Sequence, residues 1–496
     1  MSTATVLSRA CAGLQAPEVR VEVHLSPGLP GFTIVGLPES TVREARERVR
    51  SALITSFFEW PDHRITVSLA PAEIRKGGGR FDLPIALGLL TASGQLATQA
   101  TADRECYGEL GLDGSLRSTT GMLAAVQAAT ALNRVCAIPA AGADTLARLP
   151  GSQLIAAPDL LSLCAELKSK TPTILMGSSL PDCPASYADL ADIQGQKAAK
   201  RALEIAASGG HHLLMTGPPG AGKTLLASAM PGILPPCAPQ ALLEQWLIRD
   251  VLGLEPTWHR PFRAPHHSAT GAALIGGGAT AHPGEVSLAH QGILFLDELP
   301  EFSPRVLDLL RQPMEQGTVT IARARGANSY PAQFQLVAAM NPCPCGNAGQ
   351  QEPHCRCSPD LVSRYQSRVS GPLMDRIDIH IGLERQQTSA LLTQGTGEEP
   401  STSVRARVAG SWQRQLARQG CLNAHLDSRR LLAQCRLEMP VRKWFEDACD
   451  RLQLSARSVH RTLKVARTLA DMAQEPIVGE NHLLEGLSYR PRLQDK

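Results

Sequence analysis

One stretch, GPPGAGKT at 217–224, limits what this chain can fold into more than any other part of its sequence. It fits the pattern Gly-x-x-x-x-Gly-Lys-Ser/Thr, in which glycines let successive backbone N–H groups point inward at phosphate oxygens. In that pattern Lys223 brings a positive charge to the β- and γ-phosphates, and the hydroxyl of Thr224 is a ligand for Mg²⁺. An apolar run, HHLLMT, precedes the stretch and a helical run, LLASAMPGIL, follows it, which favours a strand–loop–helix phosphate site over a Gly/Pro-rich turn. The residues predicted to surround the phosphates are Gly217, Pro218, Pro219, Gly220, Ala221, Gly222, Lys223 and Thr224.

A second element, GILFLDE, places Asp297 and Glu298 at the carboxyl end of an apolar strand. Ligands of open α/β sheets bind at that end of the strands. We expect Asp297 to hold Mg²⁺ through water and Glu298 to polarise the attacking water. An Asp-Glu pair on a surface is common, but one that follows the Lys223 loop at the end of a later strand is specific. Together the two elements predict an enzyme that hydrolyses a nucleoside triphosphate with Mg²⁺.

The rest of the chain, at 496 residues, is too long for one compact core. Residues 1–169 alternate β-branched runs with Ala/Leu-rich runs, which predicts a mixed α/β domain. Residues 170–186 have the Pro, Ser and Gly content of a linker. Residues 187–385 carry apolar runs about 30 or more residues apart, a spacing that suits a parallel sheet with crossover helices. Residues 404–496 have helical periodicity and few glycines, which predicts a helical bundle.

Composition narrows the setting of the chain. No run approaches the roughly 20 apolar residues that span a bilayer, and the N-terminus does not resemble a signal peptide. Most of the 13 cysteines are scattered, which favours reduced thiols. We therefore expect a cytoplasmic protein without a membrane partner. The segment 401–496 has 17 Lys/Arg against 10 Asp/Glu, which fits either a polyanionic partner or a solvated helical surface.

Several motifs resemble those of a known family. GPPGAGKT, FRAPHHSATGAALIGGG, ILFLDE, AAMNPCPCG and RYQSRVSGPLMDRIDIHI are similar to segments of the magnesium-chelatase-like AAA+ proteins, and among these of the ComM (YifB) family of competence proteins. The resemblance covers essentially the whole chain. It implies an AAA+ P-loop ATPase core, an N-terminal Lon-protease-like α/β domain, a C-terminal helical lid and a homo-hexameric ring. It also implies ATP and Mg²⁺ as cofactors, and DNA (single-stranded, duplex or branched) as the partner in ATP-driven branch migration during homologous recombination of incoming DNA in natural transformation.

The resemblance also assigns further residues of the ATP site. Asn341 occupies the position of the sensor-1 residue that orients water near the γ-phosphate. Arg376 occupies the position of an arginine finger that reaches the ATP of a neighbouring subunit, with Arg364 and Arg368 as nearby competitors. Arg457 corresponds to the sensor-2 arginine of the helical lid. A planar, permanently charged guanidinium suits developing phosphoryl charge, although each of these arginines could instead form a surface ion pair.

The N-terminal domain departs from proteolytic Lon-type domains at the place of the nucleophile. Those proteins carry a Gly-Pro-Ser-Ala-Gly-like turn, whereas this chain has KGGGRFDLPIAL with Phe81 and Asp82 near the matching position. The downstream segment GLDGSLRSTTGMLAAV contains no lysine to act as the base. A Ser-Lys dyad cannot be assembled, so we expect this domain to bind or scaffold rather than to cleave peptides.

Four cysteines just after Asn341 form the pattern C-x-C-x₉-C-x-C, namely Cys343, Cys345, Cys355 and Cys357. Four thiolates satisfy tetrahedral Zn²⁺ and leave no open position for catalysis, so the pattern favours a structural zinc site. His354 could replace one ligand. The alternative is four reduced thiols in a flexible loop.

Two insertions in the ATPase core are candidates for DNA contact. PFRAPHHSATGAALIGGG contains Arg263, and TVTIARARGANSYPAQFQL reads as a hairpin with Arg323, Arg325 and Asn328 near its turn. In related ring helicases such insertions face the central pore, where arginines meet phosphates without reading base sequence. These arginines could equally pair with neighbouring carboxylates.

Three functions remain open on the sequence: a DNA translocase or helicase, a magnesium-chelatase-like ATPase motor that acts on a protein partner, and a Lon-like ATP-dependent protease. The missing Ser-Lys dyad disfavours the third.

Overall fold

The structure is a computed structural model, and it describes residues 2–39, 42, 44–180, 187–278, 281–323, 326–349, 355–385 and 398–490. The chain forms two compact units. The first comprises Met1–Cys183 together with Leu242–Trp258, and the second comprises Pro184–Ala241 and His259–Lys496. A helical segment that lies between two parts of the second unit in sequence therefore belongs to the first.

The first unit is built on a mixed sheet. Its strands among the described residues are β1 Ser2–Arg9, β2 Glu18–Ser26, β3 Gly31–Val35, β4 Arg64–Ala70, β5 Arg104–Cys106, β6 Glu109–Leu110, β7 Leu116–Arg117, β8 Val135–Pro139, β9 Gln153–Ala157 and β10 Leu175–Met176. Eight of these described strands form one sheet in the order β10-β9-β8-β5-β1-β2-β4-β3, and β6 pairs with β7. The long antiparallel pairs β1–β2 and β2–β4 adjoin parallel pairs on both sides. The mixed α/β class predicted for this part of the chain is confirmed.

The core of the first unit follows from period-2 alternation. In β2 the residues Val19, Val21, Val23 and Leu25 are buried while the residues between them are more exposed, as expected for a sheet with one covered face. The helix Asp82–Ala92 packs on that face and is apolar almost throughout. Glycine at position 88 lets this helix approach β2 closely, because a Cβ there would lie only 2.6 Å from Val23 Cγ2. The helices of this unit are Ala45–Thr55, Asp82–Ala92, Met122–Thr130, Ala143–Leu146, Leu160–Lys168 and most of Pro239–Val251.

The second unit has a five-stranded sheet in its described part, with the order β12-β15-β18-β11-β19 and every neighbouring pair parallel. Its strands are β11 Leu213–Thr216, β12 Phe262–Arg263, β15 Ile293–Leu296, β18 Gln335–Met340 and β19 Ile379–Gly382, and the paired short strands outside it are β13 Gly276–Gly277, β14 His282–Pro283, β16 Thr318–Arg323 and β17 Gly326–Pro331. All residues of β15 and β18 are buried, because helices cover both faces of a parallel sheet. The predicted parallel sheet is confirmed.

Helices connect and cover this sheet. Those before the C-terminal bundle are Lys197–Gly209, Lys223–Ile233, Gly271–Ile275, Glu285–Leu288, Pro304–Asp308, Arg311–Gln316, Pro359–Gln366 and Gly371–Met374. The C-terminal part is helical, as the sequence predicts, with Ser401–Gln419, Ser428–Cys435, Met439–Arg451, Ala456–Met472 and Glu480–Ser488. Ser401 anchors the first of these helices, because its N–H donates to Asp189 and its Oγ accepts from the Leu190 N–H, both at 2.8 Å.

Within the described residues, none of the helices combines the length and the apolar character needed to cross a membrane.

Candidate nucleotide-binding site

The sheet of the second unit brings three predicted motifs to one edge. The phosphate loop follows β11, Asp297 follows β15, and Asn341 follows β18. These strands are adjacent and parallel, so their carboxyl ends meet at the same edge. Three later strands of this sheet, β12, β15 and β18, lie on one side of β11, and the last strand, β19, lies on the other. A crevice at such a reversal of strand order is the usual ligand site of an open α/β sheet.

Three glycines shape the phosphate loop in different ways. A Cβ at Gly217 would lie 2.7 Å from the carbonyl oxygen of Leu383, so only glycine lets the loop pass this close to the end of β19. Gly220 and Gly222 have φ values of +77° and +88°, in the left-handed region that glycine favours. In the part of the chain that the structure describes, nothing lies within 4 Å of a Cβ built on either of these two glycines. Gly222 is also the N-cap of the helix Lys223–Ile233, whose positive end suits a phosphate.

Lys223 is buried at the base of this loop. Its Nζ donates to the carbonyl oxygens of Gly217 at 2.6 Å and Pro218 at 3.0 Å, and to Oδ1 of Asn341 at 3.0 Å. Burial lowers the pKa of this ammonium group, while Asp297 and Glu298 act in the opposite direction. The fold therefore brings the predicted phosphate-binding lysine and the predicted sensor-1 asparagine into direct contact.

Asp297 lies beside the phosphate loop and is held through both carboxylate oxygens. The hydroxyl of Thr224 donates to Oδ2 at 2.8 Å, and the backbone N–H of Glu298 donates to Oδ1 at 2.9 Å. A hydroxyl and a carboxylate are oxygen donors of the kind that Mg²⁺ binds together with phosphates and water. The residues predicted to hold Mg²⁺ thus fit that ion.

Glu298 has a neighbour that the sequence does not single out. The residue adopts a left-handed backbone conformation with φ +50°, and its Oε2 lies 3.2 Å from Nδ1 of His267. The side chain of Glu298 is 55% exposed, so His267 contacts it at the surface of the protein. The ring of His266 lies next to that of His267, tilted by 34° with ring centroids 4.0 Å apart. The His-His pair within the first insertion is the available signal, but nothing in the sequence pairs it with Glu298.

The three arginines proposed for the finger differ in environment. Arg376 is buried; it donates to the carbonyl oxygen of Pro372 at 2.6 Å and forms an ion pair with Glu315. Its Nε has no hydrogen-bond partner among the described residues. Arg368 is half-exposed and bonds Glu301 at 3.0 Å. Arg364 is exposed near the end of the helix Pro359–Gln366.

Arg457 is exposed in the first turn of the helix Ala456–Met472. One turn later, Arg461 donates to the backbone carbonyl of Arg376 at 2.7 Å and forms an ion pair with Asp378. Burial raises the Asp378 pKa, but Arg461 and His211 outweigh it and hold the pKa of this carboxyl well below its usual range. The helix of the sensor-2 candidate is therefore bonded directly to the segment of the finger candidate.

The predicted DNA contacts lie in two environments. Arg263 is on β12, an edge strand of the parallel sheet, and its guanidinium binds both oxygens of Glu285 at 2.6 and 2.8 Å. For this residue the structure contains the carboxylate pairing that the sequence leaves open. The predicted hairpin is confirmed as β16 and β17, which pair from Thr318↔Pro331 to Arg323↔Gly326. The Arg323 side chain and all of Arg325 lie outside the described residues, and Asn328 Nδ2 lies 3.4 Å from the Tyr330 hydroxyl.

The four predicted cysteines meet in one cluster. Their Sγ atoms all lie within 4.8 Å of one another. Cys343 is 3.3 Å from Cys345 and 3.6 Å from Cys355, and Cys345 is 3.6 Å from Cys355. Backbone N–H groups of Asn347 and Arg356 lower the pKa of the Cys345 thiol to about 6. His354, the alternative ligand, lies outside the described residues.

In the first unit the positions that match a protease nucleophile are buried. Phe81 packs in the core, and the Asp82 carboxylate forms an ion pair with Arg48 at 2.6 and 3.0 Å. Burial raises the pKa of Asp82 to about 6 despite that pair. This arrangement ties the helix Ala45–Thr55 to the helix Asp82–Ala92, a structural role for the carboxylate.

Comparison with known proteins covers most of the chain. Three family models match: subunit ChlI of Mg-chelatase over residues 21–141, magnesium chelatase subunit ChlI over 189–391, and the C-terminal part of that subunit over 398–490. The chain is 45% identical to the uncharacterized protein YifB of Escherichia coli K12 over 99% of its own length and 97% of that protein.

It is also 45% identical to the competence protein ComM of Haemophilus influenzae, over 99% of this chain and 98% of that protein. A magnesium-chelatase 67 kDa subunit of Chlorobaculum parvum is 29% identical over 30% of this chain and 23% of that protein. The chain belongs to the family of magnesium-chelatase-like AAA+ ATPases, among relatives that include YifB and ComM.

Proposed function

We propose that this protein hydrolyses ATP in a homo-hexameric ring in the cytoplasm and uses the energy to move DNA strands or junctions. The observation that supports the hydrolysis best is the convergence of Lys223, Thr224, Asp297 and Asn341 at one edge of the sheet, linked by contacts of 2.8 to 3.0 Å. The parallel sheet brings these strand ends together, and the side chains that stand there are a lysine, a hydroxyl, a carboxylate and an amide. Their types match the charges and oxygens of a nucleotide bound with Mg²⁺.

In this proposal each side chain has a defined task. Lys223 exchanges its carbonyl partners for phosphate oxygens and neutralises their charge. Thr224 and Asp297 hold Mg²⁺, which when bound supplies positive charge to the β- and γ-phosphates. Glu298 accepts a proton from the attacking water, and the Asn341 amide orients that water. Arg376 and Arg457 add guanidinium groups, the first from a neighbouring subunit and the second from the helical lid of the same subunit.

The proposal that DNA is the partner rests on sequence similarity to a competence protein and on the positive charge of two segments. A relative over nearly the full length carries the name competence protein, and competence is the capacity to take up DNA. The hairpin of β16 and β17 places Arg323 at its turn, with Arg325 as the next residue but one. The basic segment 401–496 suits a polyanion as well. We infer branch migration during recombination of incoming DNA as the process served, and we infer a scaffolding rather than proteolytic role for the Lon-like first unit.

A motor that acts on a protein partner is the second candidate, because all three matching family models describe magnesium chelatase. The two candidates differ in their response to DNA. We expect the rate of ATP hydrolysis to rise severalfold with single-stranded, duplex or branched DNA, and a labelled four-way junction to be resolved in the presence of ATP.

Lys223→Ala protein is the control for contaminating ATPases and helicases. A wild-type ATPase rate that no DNA form changes, with no junction movement, would remove the DNA proposal and leave the protein-partner motor. Peptide cleavage that depends on ATP would instead support the function of a Lon-like protease.

A further inference from the structure

The four-cysteine cluster lies against the ATP site rather than apart from it. Cys343 comes two residues after Asn341, whose amide contacts Lys223 at 3.0 Å. Gly346 lies three residues further on and touches the phosphate loop, because a Cβ at Gly346 would lie 2.7 Å from Cγ of Pro219. Real Cβ atoms do not approach other heavy atoms this closely. The loop that carries the cysteines is thus in van der Waals contact with the loop predicted to carry the phosphates.

The geometry of the thiols fits a bound metal. Sulfur atoms around tetrahedral Zn²⁺ lie ~3.8 Å apart, as follows from a Zn–S distance of about 2.3 Å. The distances of 3.3 to 3.6 Å among Cys343, Cys345 and Cys355 are near this value, and far longer than the ~2.05 Å of a disulfide bond. Cys357 completes the set within 4.8 Å.

Backbone groups also hold the cluster in shape. The Ala348 N–H donates to Cys343 Sγ at 3.3 Å, and the Cys357 N–H donates to Cys355 Sγ at 3.4 Å. Such N–H···S bonds are a common second layer around thiolate sites. On its far side the loop is fixed to the helix Pro359–Gln366, because Gln366 Nε2 donates to the carbonyl oxygen of Pro342 at 3.0 Å.

We propose that Cys343, Cys345, Cys355 and Cys357 bind one Zn²⁺, and that this metal holds the loop so that Gly346 supports Pro219 and keeps the phosphate loop in its nucleotide-binding shape. The inference rests on the proposed ATP site and adds a dependence of that site on zinc. Without the metal, the four thiols can move apart. Gly346 can then move away from Pro219, and the phosphate loop is no longer supported there. Nucleotide affinity should then fall even though every residue of the phosphate loop is intact.

Metal content and nucleotide affinity of the full-length protein test the two halves separately. We expect about one zinc per chain by mass spectrometry of metals. The double variant Cys345→Ser/Cys357→Ser should lose that zinc, whereas Cys11→Ser, an exposed cysteine elsewhere, should keep it. Treatment of the wild type with a zinc chelator, followed by return to Mg²⁺ buffer, should weaken binding of a fluorescent ATP analogue by about tenfold or more, and added zinc should restore it.

A glycine pair separates support of the phosphate loop from metal binding. Gly346 and Gly349 have nearly equal φ values of +82° and +80°, so replacement by alanine imposes the same backbone penalty at both. Only the Cβ at Gly346 meets Pro219, since no atom of the described residues lies within 4 Å of a Cβ at Gly349. Gly346→Ala should keep its zinc and bind the ATP analogue about tenfold more weakly, and Gly349→Ala should resemble the wild type in both measurements.

Each contrary result has its own meaning. Freshly purified protein without zinc overturns the metal site. A second such result is a wild type that contains zinc when purified and yet keeps its nucleotide affinity after the zinc is removed. If Gly346→Ala and Gly349→Ala also have equal affinities, the proposed support of the phosphate loop is overturned while the ATPase proposal stands. A wild type that holds zinc but binds no nucleotide overturns the ATPase proposal, and with it the link between zinc and nucleotide.

Discussion

At the scale of single residues, the proposed ATP site depends on contacts between side chains far apart in the chain. Lys223 and Asn341 are separated by 118 positions and lie 3.0 Å apart. The phosphate-loop pattern predicts the lysine as part of the site, and family resemblance predicts the asparagine. Their contact could not be predicted, because it depends on the order in which β11 and β18 pair.

Substitution of Lys223 and of Glu298 should affect different steps, nucleotide binding in the first case and hydrolysis in the second. Lys223→Ala should abolish nucleotide binding, because the variant has no buried ammonium to neutralise phosphate charge. Glu298→Gln should bind nucleotide normally and hydrolyse it at least about 100-fold more slowly, since an amide cannot accept the proton of the attacking water. A fluorescent ATP analogue and phosphate release measure the two steps.

Glu301→Gln is the matched control, since Glu301 is a nearby exposed carboxylate paired with Arg368. It should retain both binding and hydrolysis. Wild-type turnover by Glu298→Gln would show that another group handles the water.

His267 should restrain the basal rate of hydrolysis. Its ring occupies one oxygen of Glu298 at 3.2 Å, so that oxygen is less available to a water molecule. A contact of this kind between two partly exposed side chains contributes at most about 1 kcal/mol, and His267→Ala should therefore raise ATP hydrolysis in the absence of DNA by up to about fivefold. His266→Ala is the control, because His266 bonds Ser268 rather than Glu298. A lower rate in His267→Ala would mean that the ring supports the carboxylate instead.

At the scale of elements, the sequence is most informative where strands are buried on both faces. The runs LLMT, ILFL and QLVAAM are continuous apolar stretches because helices cover both sides of a parallel sheet, and all three are strands. Two-residue strands such as β10 and β12 carry no such signal, and β10 lies within the predicted linker 170–186. The sequence groups Leu242–Trp258 with the ATPase core, since its apolar residues do not specify which unit they pack in, whereas the structure places this segment in the first unit.

The hairpin of β16 and β17 is the element we expect to hold DNA. Replacement of Arg323 and Arg325 by alanine should weaken binding to unrelated DNA sequences to a similar extent, because side chains that bind phosphates do not read bases. The log–log dependence of affinity on salt should flatten by a slope of about one for each duplex phosphate that the variant no longer neutralises. Filter binding at several salt concentrations measures both effects.

Basal ATP hydrolysis should survive in this double variant, while DNA stimulation and junction movement fall. Arg442→Ala removes an exposed arginine that pairs with Glu446 on a C-terminal helix and is the control for a simple decrease in positive charge. Equal DNA affinity and junction movement in the hairpin variant and the wild type would exclude the hairpin as a DNA-binding element.

At the scale of the whole molecule, the proposed ring makes one active site out of two chains. Arg376→Ala protein should assemble with nucleotide but hydrolyse it poorly, because its neighbours receive no guanidinium. Mixed with Lys223→Ala protein, which keeps its own Arg376, it should recover part of the activity at interfaces that combine an intact pocket with an intact arginine. Phosphate release over a series of mixing ratios tests this.

The ion pair of Arg376 with Glu315 bears on that experiment. An arginine that reaches a neighbour must leave Glu315, so Glu315→Gln should raise rather than lower activity in the same assay. Mixed rings confirmed by native mass spectrometry, with no recovery at any ratio, would contradict an arginine supplied by the neighbour and favour a structural ion pair.

Two histidines of the second unit should make the free energy of unfolding depend on pH. Burial lowers the pKa of His212 to about 3 and that of His380 to about 4. Both pKa values lie below the ~6.5 of a histidine in the unfolded chain. As the pH falls below about 6.5, these two histidines therefore bind protons in the unfolded state but stay neutral in the folded state. Stability is therefore complete above about pH 6.5 and declines as the pH falls toward 4, by at most about 1.4 kcal/mol per pH unit for each ring.

Urea unfolding at about pH 7.5 and about pH 5 measures this decline. His212→Gln keeps an acceptor for the Leu336 N–H, which the ring accepts at 3.0 Å, but cannot take up a proton. It should lose less stability between the two pH values than the wild type does. An equal loss in both proteins would assign the pH dependence to other groups.

The bond between Arg461 and the carbonyl of Arg376 has a consequence for timing around the proposed ring. The helix that carries Arg461 also carries Arg457, which in this proposal senses the nucleotide of its own subunit. A shift of that helix when the nucleotide changes would pull on Arg376 and Asp378 in the same movement, and so alter what the subunit offers to the next one. Adjacent subunits linked in this way would hydrolyse ATP one after another rather than in random order. The link that sets this order would lie within each chain.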